Sequence, residues 1–367
     1  MDPSSSLCLV RDSFNNYSHS LEIYNSVPYH FRDDDEYIIH TRNTMYCDYQ
    51  IYEQSELLDV ECSTYPSKTF ETMAYRIHPF NKISKSIFTS KNSLEMANID
   101  AVYNITPAIF TFAQQSNNAN ILYCDFGGTF NEYIRFRFPY AQRGDVNGML
   151  GGANMSKCLY IDEHMYNTYD IVMGNIYDAI RGHHISYKSM LYQCYTGCRL
   201  LKEGHHMVLK CNQIIHAHWV EVLYILSQVF DSINIFKPTT SSYTSYDIYI
   251  ICKSKRVSSI SNMYIDLLEY LITYCDHNNC CDHSSCNCSN YDYDGSLIYK
   301  QLPKSFVQWI TDINDFIISK HIKYMNNTLI LLKNPHAWIS LGNYNLSKFL
   351  TIWNLPSGPI YNNSMKI

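Results

Sequence analysis

The sequence predicts an α/β protein built on a mostly parallel, doubly wound sheet. Short apolar runs typical of buried strands alternate with longer segments of helical spacing, and polar residues follow several of the runs. Alternation of this length places helices on both faces of a parallel sheet. The predicted strands are residues 120–124, 170–174, 206–210, 233–236 and 248–252, and the predicted helices between them are residues 186–201 and 216–230.

Segments on either side of this core predict helical additions. Residues 74–100 have helical spacing and predict two helices, residues 263–274 predict another, and the chain becomes helical again from residue 302. The expected organisation is therefore an N-terminal extension, a core α/β domain, a helix with a Cys/His-rich insertion, and a C-terminal helical tail. Their expected ranges are residues 1–65, 66–257, 258–300 and 301–367.

Composition narrows the class of protein. A chain of 367 residues with 46% hydrophobic residues can bury a large core. Its net charge of −6 argues against a generally basic nucleic-acid coat. We find no apolar run of about 18 residues and no signal-peptide pattern, so we expect no membrane partner and no secretion. The 14 scattered cysteines favour a reducing compartment. The 33 tyrosines are typical of an AT-rich coding sequence such as that of a virus, so we expect a protein of the host nucleus or cytoplasm, or of a virion.

Polar residues and glycines follow the predicted strands, where parallel sheets bind ligands. Asp125 and the pair Gly127-Gly128 come directly after residues 120–124, and Gly148 lies within residues 146–150, a second predicted strand end. A glycine pair between a strand and a helix either lets a ligand approach the backbone or forms an ordinary tight turn. Asn175 and Lys210 follow two further strands, and Asp247 starts the second strand of a hairpin at residues 232–255. Two readings of the glycine pair therefore stay open.

A Cys/His-rich segment follows the predicted helix at residues 263–274. Thiolate and imidazole are the donors that Zn²⁺ prefers, but this spacing matches no standard zinc module. A zinc site and a flexible surface insertion with adventitious thiols are both open interpretations. The candidate ligands are Cys275, His277, Cys280, Cys281, His283, Cys286 and Cys288.

Several motifs occur in the order known from one enzyme family. Residues 94–100 read Leu-Glu-Met-Ala-Asn-Ile-Asp, residues 130–133 Phe-Asn-Glu-Tyr, residues 236–241 Phe-Lys-Pro-Thr-Thr-Ser, and residues 249–253 Tyr-Ile-Ile-Cys-Lys. Residues 78–80 (His-Pro-Phe) and 349–356 (Phe-Leu-Thr-Ile-Trp-Asn-Leu-Pro) add to the series. Together the motifs resemble those of the FtsJ-like (RrmJ-type) cap-specific mRNA (nucleoside-2′-O-)-methyltransferases of eukaryotes and large DNA viruses.

The resemblance implies a fold and a reaction. The fold is a Rossmann-like S-adenosylmethionine methyltransferase fold, here over residues 66–257 with helical additions at both ends. The reaction transfers a methyl group from S-adenosylmethionine to the 2′-hydroxyl of the first transcribed nucleotide of capped RNA. The family uses a Lys-Asp-Lys-Glu tetrad, in which the carboxylates and one lysine tune the pKa of the other lysine.

The family's tetrad is degenerate in this chain. Its four positions fall on Glu95, Asn175, Lys210 and Asp247, so only Lys210 is retained and Asp247 keeps the charge with a shorter side chain. In place of the family's Gly-Pro-Gly-Gly-Phe, residues 126–130 read Phe-Gly-Gly-Thr-Phe. The resemblance implies that Asp125, Gly127, Gly128 and Gly148 would hold the cofactor.

Some roles stay open at this stage. Asp125 or Asp178 would be a replacement for the missing carboxylate, or Asp125 would contact the amino group of the cofactor. Lys210 either has a catalytic role or is a strand-end lysine that pairs with Asp247.

Three functional hypotheses follow. The first is a diverged, catalytically inactive homologue kept as a structural or interaction component of a viral assembly, with other viral or capping-machinery proteins as partners and no cofactor. The second is an active S-adenosylmethionine-dependent cap 2′-O-methyltransferase. The third is an RNA-binding or regulatory subunit of a capping enzyme, which would use the basic residues Lys82, Lys85, Lys91, Arg135 and Arg137.

Overall fold

A computed structural model describes most of the predicted core domain and its additions. The described residues are 29, 36–39, 44–78, 80, 88–106, 121–144, 161–175, 187–212, 214–277, 301–337, 339 and 346–356. The strands are β1 (Tyr37–Ile39), β2 (Leu122–Phe126), β3 (Gln142–Arg143), β4 (Tyr169–Gly174), β5 (Leu201–Cys211), β6 (Phe230–Phe236), β7 (Ile248–Lys255) and β8 (Gln301–Pro303).

The helices alternate with these strands in the core and extend beyond them at both ends. They are α1 (Tyr49–Ser63), α2 (Ser67–Arg76), α3 (Lys91–Tyr103), α4 (Asn131–Arg137), α5 (Tyr187–Leu200), α6 (Ala217–Val229), α7 (Ser259–His277), α8 (Lys304–Lys333) and α9 (Leu346–Ile352). Within the described part of the chain, no helix is both long and apolar enough to cross a membrane.

The central sheet has six strands in the order β3-β2-β4-β5-β7-β6. The strands from β3 to β5 pair in parallel, while β7 is antiparallel to both β5 and β6. The sheet is therefore a parallel α/β sheet closed at one side by an antiparallel hairpin, which confirms the predicted fold class. The carboxyl ends of β2, β4 and β5 share one edge, where ligands bind in sheets of this kind.

Two apolar layers cover the faces of the sheet. On one face, the core includes Leu191, Leu223 and Leu268 from the helices α5, α6 and α7. On the other face, it includes Ile99 of α3 and Ile134 of α4. These large buried side chains come from the segments whose alternation predicted the fold.

The N-terminal and C-terminal additions pack against each other. Cys62 of α1 lies in one apolar cluster with Met325, Leu329 and Leu332 of α8, and Met73 of α2 packs against it. The side chain of Asn314 in α8 donates to the backbone oxygens of Tyr46 and Ile214, at 2.7 Å each. The helices α1, α2 and α8 thus form a helical layer that is tied to the core domain.

The structure corrects several predicted boundaries. Of the two helices predicted over residues 74–100, the second is α3, which begins at Lys91. The range of the first falls mostly on residues 79 and 81–87, which lie outside the described residues, and α2 ends at Arg76, near the start of that range. Gly204 lies inside β5, because this strand continues past a register irregularity to pair Leu201 with Tyr169. The helix predicted from residue 302 begins at Lys304, after the short strand β8.

The helix α1 was missed within the predicted extension. Only Ser55 and Cys62 are buried on it, so its sequence carries no clear apolar stripe. Its start is defined by Asp48, whose side chain accepts from the backbone N–H of Gln50 at 2.7 Å.

Candidate active site

Lys210 lies at the centre of a buried charged cluster at the carboxyl edge of the sheet. Its side chain is 5% exposed, and its Nζ lies 3.4 Å from Glu95 Oε2 and 3.3 Å from Asp247 Oδ2. The same Nζ donates to Asn92 Oδ1 at 2.9 Å. The structure therefore brings together three of the four predicted tetrad positions.

Three elements position these side chains. Lys210 is the penultimate residue of β5, and its antiparallel partner in β7 is Tyr249, which places Asp247 just before that strand. Glu95 and Asn92 lie three residues apart on α3 and so share one helix face. The cluster exists because α3 packs across the end of the β5–β7 pair.

Glu95 is wholly buried but ionised. Burial alone would raise its pKa, but the Lys210 and Lys91 ammonium groups and the Tyr249 hydroxyl outweigh burial and lower the pKa to about 2. Tyr249 donates a short hydrogen bond to Glu95 Oε2, and Lys91 Nζ lies 3.6 Å from Glu95 Oε1. A glutamate thus occupies the first lysine position of the tetrad, and its neighbours favour its charged form.

A second buried lysine holds the backbone next to Asp247. Lys237 Nζ donates to the carbonyl oxygens of Ser245 at 2.5 Å and Asp247 at 2.8 Å. Burial lowers the pKa of Lys237 to about 7, although the nearby Asp247 carboxylate opposes this shift. Lys237 therefore closes the hairpin loop from the inside.

Asn175, the remaining tetrad position, points to the glycine loop and makes no hydrogen bond to Lys210 among the described contacts. Its side-chain Nδ2 donates to Thr129 Oγ1 at 3.0 Å. Its backbone oxygen would lie 2.5 Å from a Cβ at Gly127, which has a φ of +92°. The contact with Asn175 therefore explains why residue 127 is a glycine, without any ligand.

The rest of the glycine loop also makes contacts with other residues of the chain. A Cβ at Gly128 would lie 3.2 Å from the guanidinium group of Arg143, which donates to the backbone oxygen of Asp125 at 2.8 Å. Asp125 is buried, accepts from the Phe130 N–H at 2.8 Å, and has its pKa raised to about 6 by burial. Asp125 stabilises the turn that starts α4.

Sequence reasoning missed Asn92 and Tyr249 as partners of the charged cluster. Their spacing was a usable signal, because Asn92 precedes Glu95 by three residues on a helix and Tyr249 follows Asp247 by two residues along the hairpin. Gly148 and Asp178 lie outside the described residues.

The predicted zinc ligands fall on residues whose side chains are not described. Cys275 and His277 lie in the last turn of α7, and Cys280, Cys281, His283, Cys286 and Cys288 follow beyond the described residues. Within the described ranges, no group of three or more Cys, His, Asp or Glu residues is arranged to hold a metal ion. The zinc site stays a prediction.

The described basic residues of the third hypothesis, Lys91, Arg135 and Arg137, make contacts within the chain. Arg137 donates to the backbone oxygens of Trp353 at 2.8 Å and Asn354 at 3.1 Å, which anchors the segment after α9. Arg135 hydrogen-bonds to Tyr123, and Lys91 pairs with Glu95. Lys82 and Lys85 lie outside the described residues.

The order of the strands and the position of the charged cluster together define the class of fold. A parallel sheet with a closing antiparallel hairpin, a glycine loop after β2 and a lysine at the end of β5 form a Rossmann-like methyltransferase fold. Residues 113–255 match the model of the FtsJ-like methyltransferase family, so this part of the chain is an FtsJ-like methyltransferase domain.

Three proteins similar to this chain share one name, cap-specific mRNA (nucleoside-2′-O-)-methyltransferase 1. The protein from Drosophila melanogaster is 26% identical over 231 residues, which cover 49% of this chain and 29% of that protein. Those from Danio rerio and Mus musculus are 22% and 21% identical, each covering 72% of this chain and 36% of that protein. The matches thus span about a third of the length of these relatives.

Removing the central lysine tests the cluster. We expect Lys210→Met to lower the free energy of unfolding by about 3–5 kcal/mol, because it leaves the buried Glu95 carboxylate without its main cation. Urea denaturation followed by circular dichroism measures this. The double variant Lys210→Met with Glu95→Gln should recover most of the loss, because it removes both buried charges.

A surface ion pair provides the matched control for this experiment. Lys304 Nζ lies 3.1 Å from Glu36 Oε2, with both side chains largely exposed. Lys304→Met should change the free energy of unfolding by less than about 0.5 kcal/mol. An equally small effect of Lys210→Met would contradict the buried cluster.

Proposed function

We propose that this chain is a diverged homologue of the cap 2′-O-methyltransferases that does not transfer methyl groups. It acts as a structural or interaction component of an assembly, with viral or capping-machinery proteins as partners. The observation that carries the proposal is the pairing of Lys210 with Asn92, Glu95 and Asp247.

The pairing removes the chemistry that a 2′-hydroxyl needs. A lysine ammonium has three N–H donors, and Lys210 has three acceptors within 3.4 Å. Two of these acceptors are the carboxylates of Glu95 and Asp247. An ammonium group that already contacts three acceptors is poorly placed to orient a substrate hydroxyl.

The glycine loop fits the cofactor in part. Buried oxygens at Asp125 Oδ1 and Asn175 Oδ1 have no hydrogen-bond partner within the described residues, and such acceptors suit the amino group of S-adenosylmethionine, which FtsJ-like methyltransferases use. The space where a Cβ would lie at Gly127 and Gly128 is occupied by the Asn175 backbone oxygen and the Arg143 guanidinium group, so packing within the chain accounts for both glycines. This supports a domain in which the loop has a structural role.

The proposed partners follow from the charge of the chain and from its relatives. The relatives are named for capped mRNA, so an RNA-processing assembly is the setting that we propose, inside the cell or in a virion. The net charge of −6 and the internal use of Arg137 and Lys91 favour protein partners over direct binding of RNA.

Binding of the cofactor tests the proposal. In isothermal titration calorimetry we expect S-adenosylmethionine to bind more weakly than about 1 mM. In a methyl-transfer assay on capped RNA we expect no 2′-O-methylated product. Micromolar binding together with product would overturn the proposal.

A second candidate function is an active cap 2′-O-methyltransferase with a rearranged tetrad. One observation favours it: Lys91, Glu95, Lys210 and Asp247 form a continuous series of contacts with two lysines and two carboxylates. These are the charges of the family's Lys-Asp-Lys-Glu set, with one lysine moved a helical turn upstream on α3. The side chain of Lys91 is 50% exposed, so it can reach a substrate.

This candidate makes a distinct prediction about Lys91. If the wild-type chain methylates capped RNA, Lys91→Ala should lower kcat on the order of 100-fold, the usual cost of losing one electrostatic group at a reacting centre. Lys68→Ala, at an exposed lysine of α2, is the matched control and should leave kcat unchanged. Full activity of the Lys91→Ala variant would contradict the rearranged tetrad.

A further inference from the structure

A second polar cluster, formed by Ser55, Asp59, Tyr246 and His321, joins the helical additions to the hairpin loop that carries Asp247. Asp59 and Ser55 come from α1, His321 from α8, and Tyr246 from the loop. The helical additions, through α1 and α8, therefore contact the loop that leads into the candidate active site.

The ring of His321 lies between two acceptors. Its Nδ1 is 2.9 Å from the backbone oxygen of Tyr243, and its Nε2 is 2.9 Å from Asp59 Oδ1. The side chain is only 2% exposed, so water does not replace either partner. Both ring nitrogens therefore have an oxygen acceptor within hydrogen-bond distance.

Tyr246 completes the cluster from the loop side. Its hydroxyl donates to Asp59 Oδ2 at 2.7 Å and makes a short hydrogen bond with Ser55. Its ring stacks on His321, with centroids 4.1 Å apart and an interplanar angle of 25°. One turn further along α8, Tyr324 stacks on Tyr243, with centroids 4.8 Å apart.

These contacts fix the loop immediately before Asp247. Tyr246 is its direct neighbour in the chain, and Lys237 binds the carbonyl oxygens of Ser245 and Asp247 from the inside. The loop is thus held from the outside by α1 and α8 and from the inside by Lys237. A shift of Tyr246 would move the carboxylate that lies 3.3 Å from Lys210 Nζ.

We propose that His321 is a positioning residue for the candidate active site, and that through Tyr243, Tyr246 and Asp59 it sets where Asp247 meets Lys210. The helical additions then control the geometry of the charged cluster without touching it. This inference does not depend on whether the chain transfers methyl groups, because it concerns the position of Asp247 alone.

A double-mutant cycle tests the proposal. Asp247→Asn removes the ion pair with Lys210, and His321→Gln leaves only one amide group to serve the two acceptors. If His321 positions Asp247, the effect of Asp247→Asn on the folding equilibrium constant should be at least about threefold smaller in the His321→Gln background than in the wild type. Urea denaturation of the four chains gives the constants. Effects equal within about twofold in the two backgrounds would overturn the proposal, because a merely structural histidine gives additive losses.

The chain offers a matched control. His164 Nδ1 lies 2.7 Å from Asp162 Oδ1 on the surface, with the two side chains 72% and 60% exposed. A cycle of His164→Gln with Asp247→Asn should be additive within about twofold. If it is not, the coupling measured for His321 is not specific and the proposal fails.

A second readout covers the case in which the His321→Gln variant does not fold. Tyr246→Phe keeps the ring stack and removes only the hydroxyl that binds Asp59. We expect this variant to couple to Asp247→Asn in the same sense and to exchange the backbone amide proton of Ser241, which bonds to the oxygen of Pro238 at 2.9 Å, faster than the wild type. Additive stability and unchanged exchange would contradict the proposal.

Discussion

The ion pair between Lys210 and Glu95 is the constraint on which the rest of the site depends. Glu95 is fully buried on α3, and an isolated buried carboxylate costs several kcal/mol. It is tolerated because Lys210 and the hydroxyl of Tyr249 meet it from the sheet. The charge pair is therefore satisfied only while α3 keeps its place across the ends of β5 and β7, and the same placement brings Asn92 and Asp247 to the same ammonium group.

The helical additions extend this constraint outward. The hairpin loop before β7 is held by Asn98 of α3, which accepts from the Thr239 N–H at 2.8 Å, and by the ring of His78, which lies 2.9 Å from the oxygen of Ser241. On its outer side, His321 of α8 holds the oxygen of Tyr243. A loop that is fixed by three separate elements is a poor candidate for large motion, which agrees with a domain kept for its shape.

The fold was largely predictable because its signals are local. The apolar runs, the Gly127-Gly128 turn and the motif at residues 236–241 are each short stretches of sequence, and they were enough to predict the α/β fold class and the resemblance to the family. The order of the strands comes from the structure alone. The helix α1 was not predictable, because it buries little and carries no periodic apolar stripe. The pairing of Lys210 with Asp247 was one of two open readings, and the structure has this contact.

The pairing of Lys210 with Glu95 was beyond the reach of the sequence. The two residues are 115 positions apart, and their contact depends on where α3 crosses the sheet. The side chain of Glu95, at a position where the family has a lysine, could have pointed to solvent or into the core. The packing of α3 decides between the two. The same holds for His321 and Asp59, which are 262 positions apart and meet only because the two ends of the chain pack together.

The central claim is that Glu95 is a buried anion held by Lys210, and the titration of Glu95 tests it most directly. NMR of the Glu95 side-chain carboxyl carbon as a function of pH, assigned by comparison with Glu95→Gln, reports its pKa. The account predicts a pKa of about 2, so that the stability supplied by the pair is full above the ordinary value of 4.5 and is lost as the pH falls towards 2. A pKa of Glu95 at or above 4.5 would contradict the account, because it would mean that Lys210 does not hold the carboxylate in its charged form.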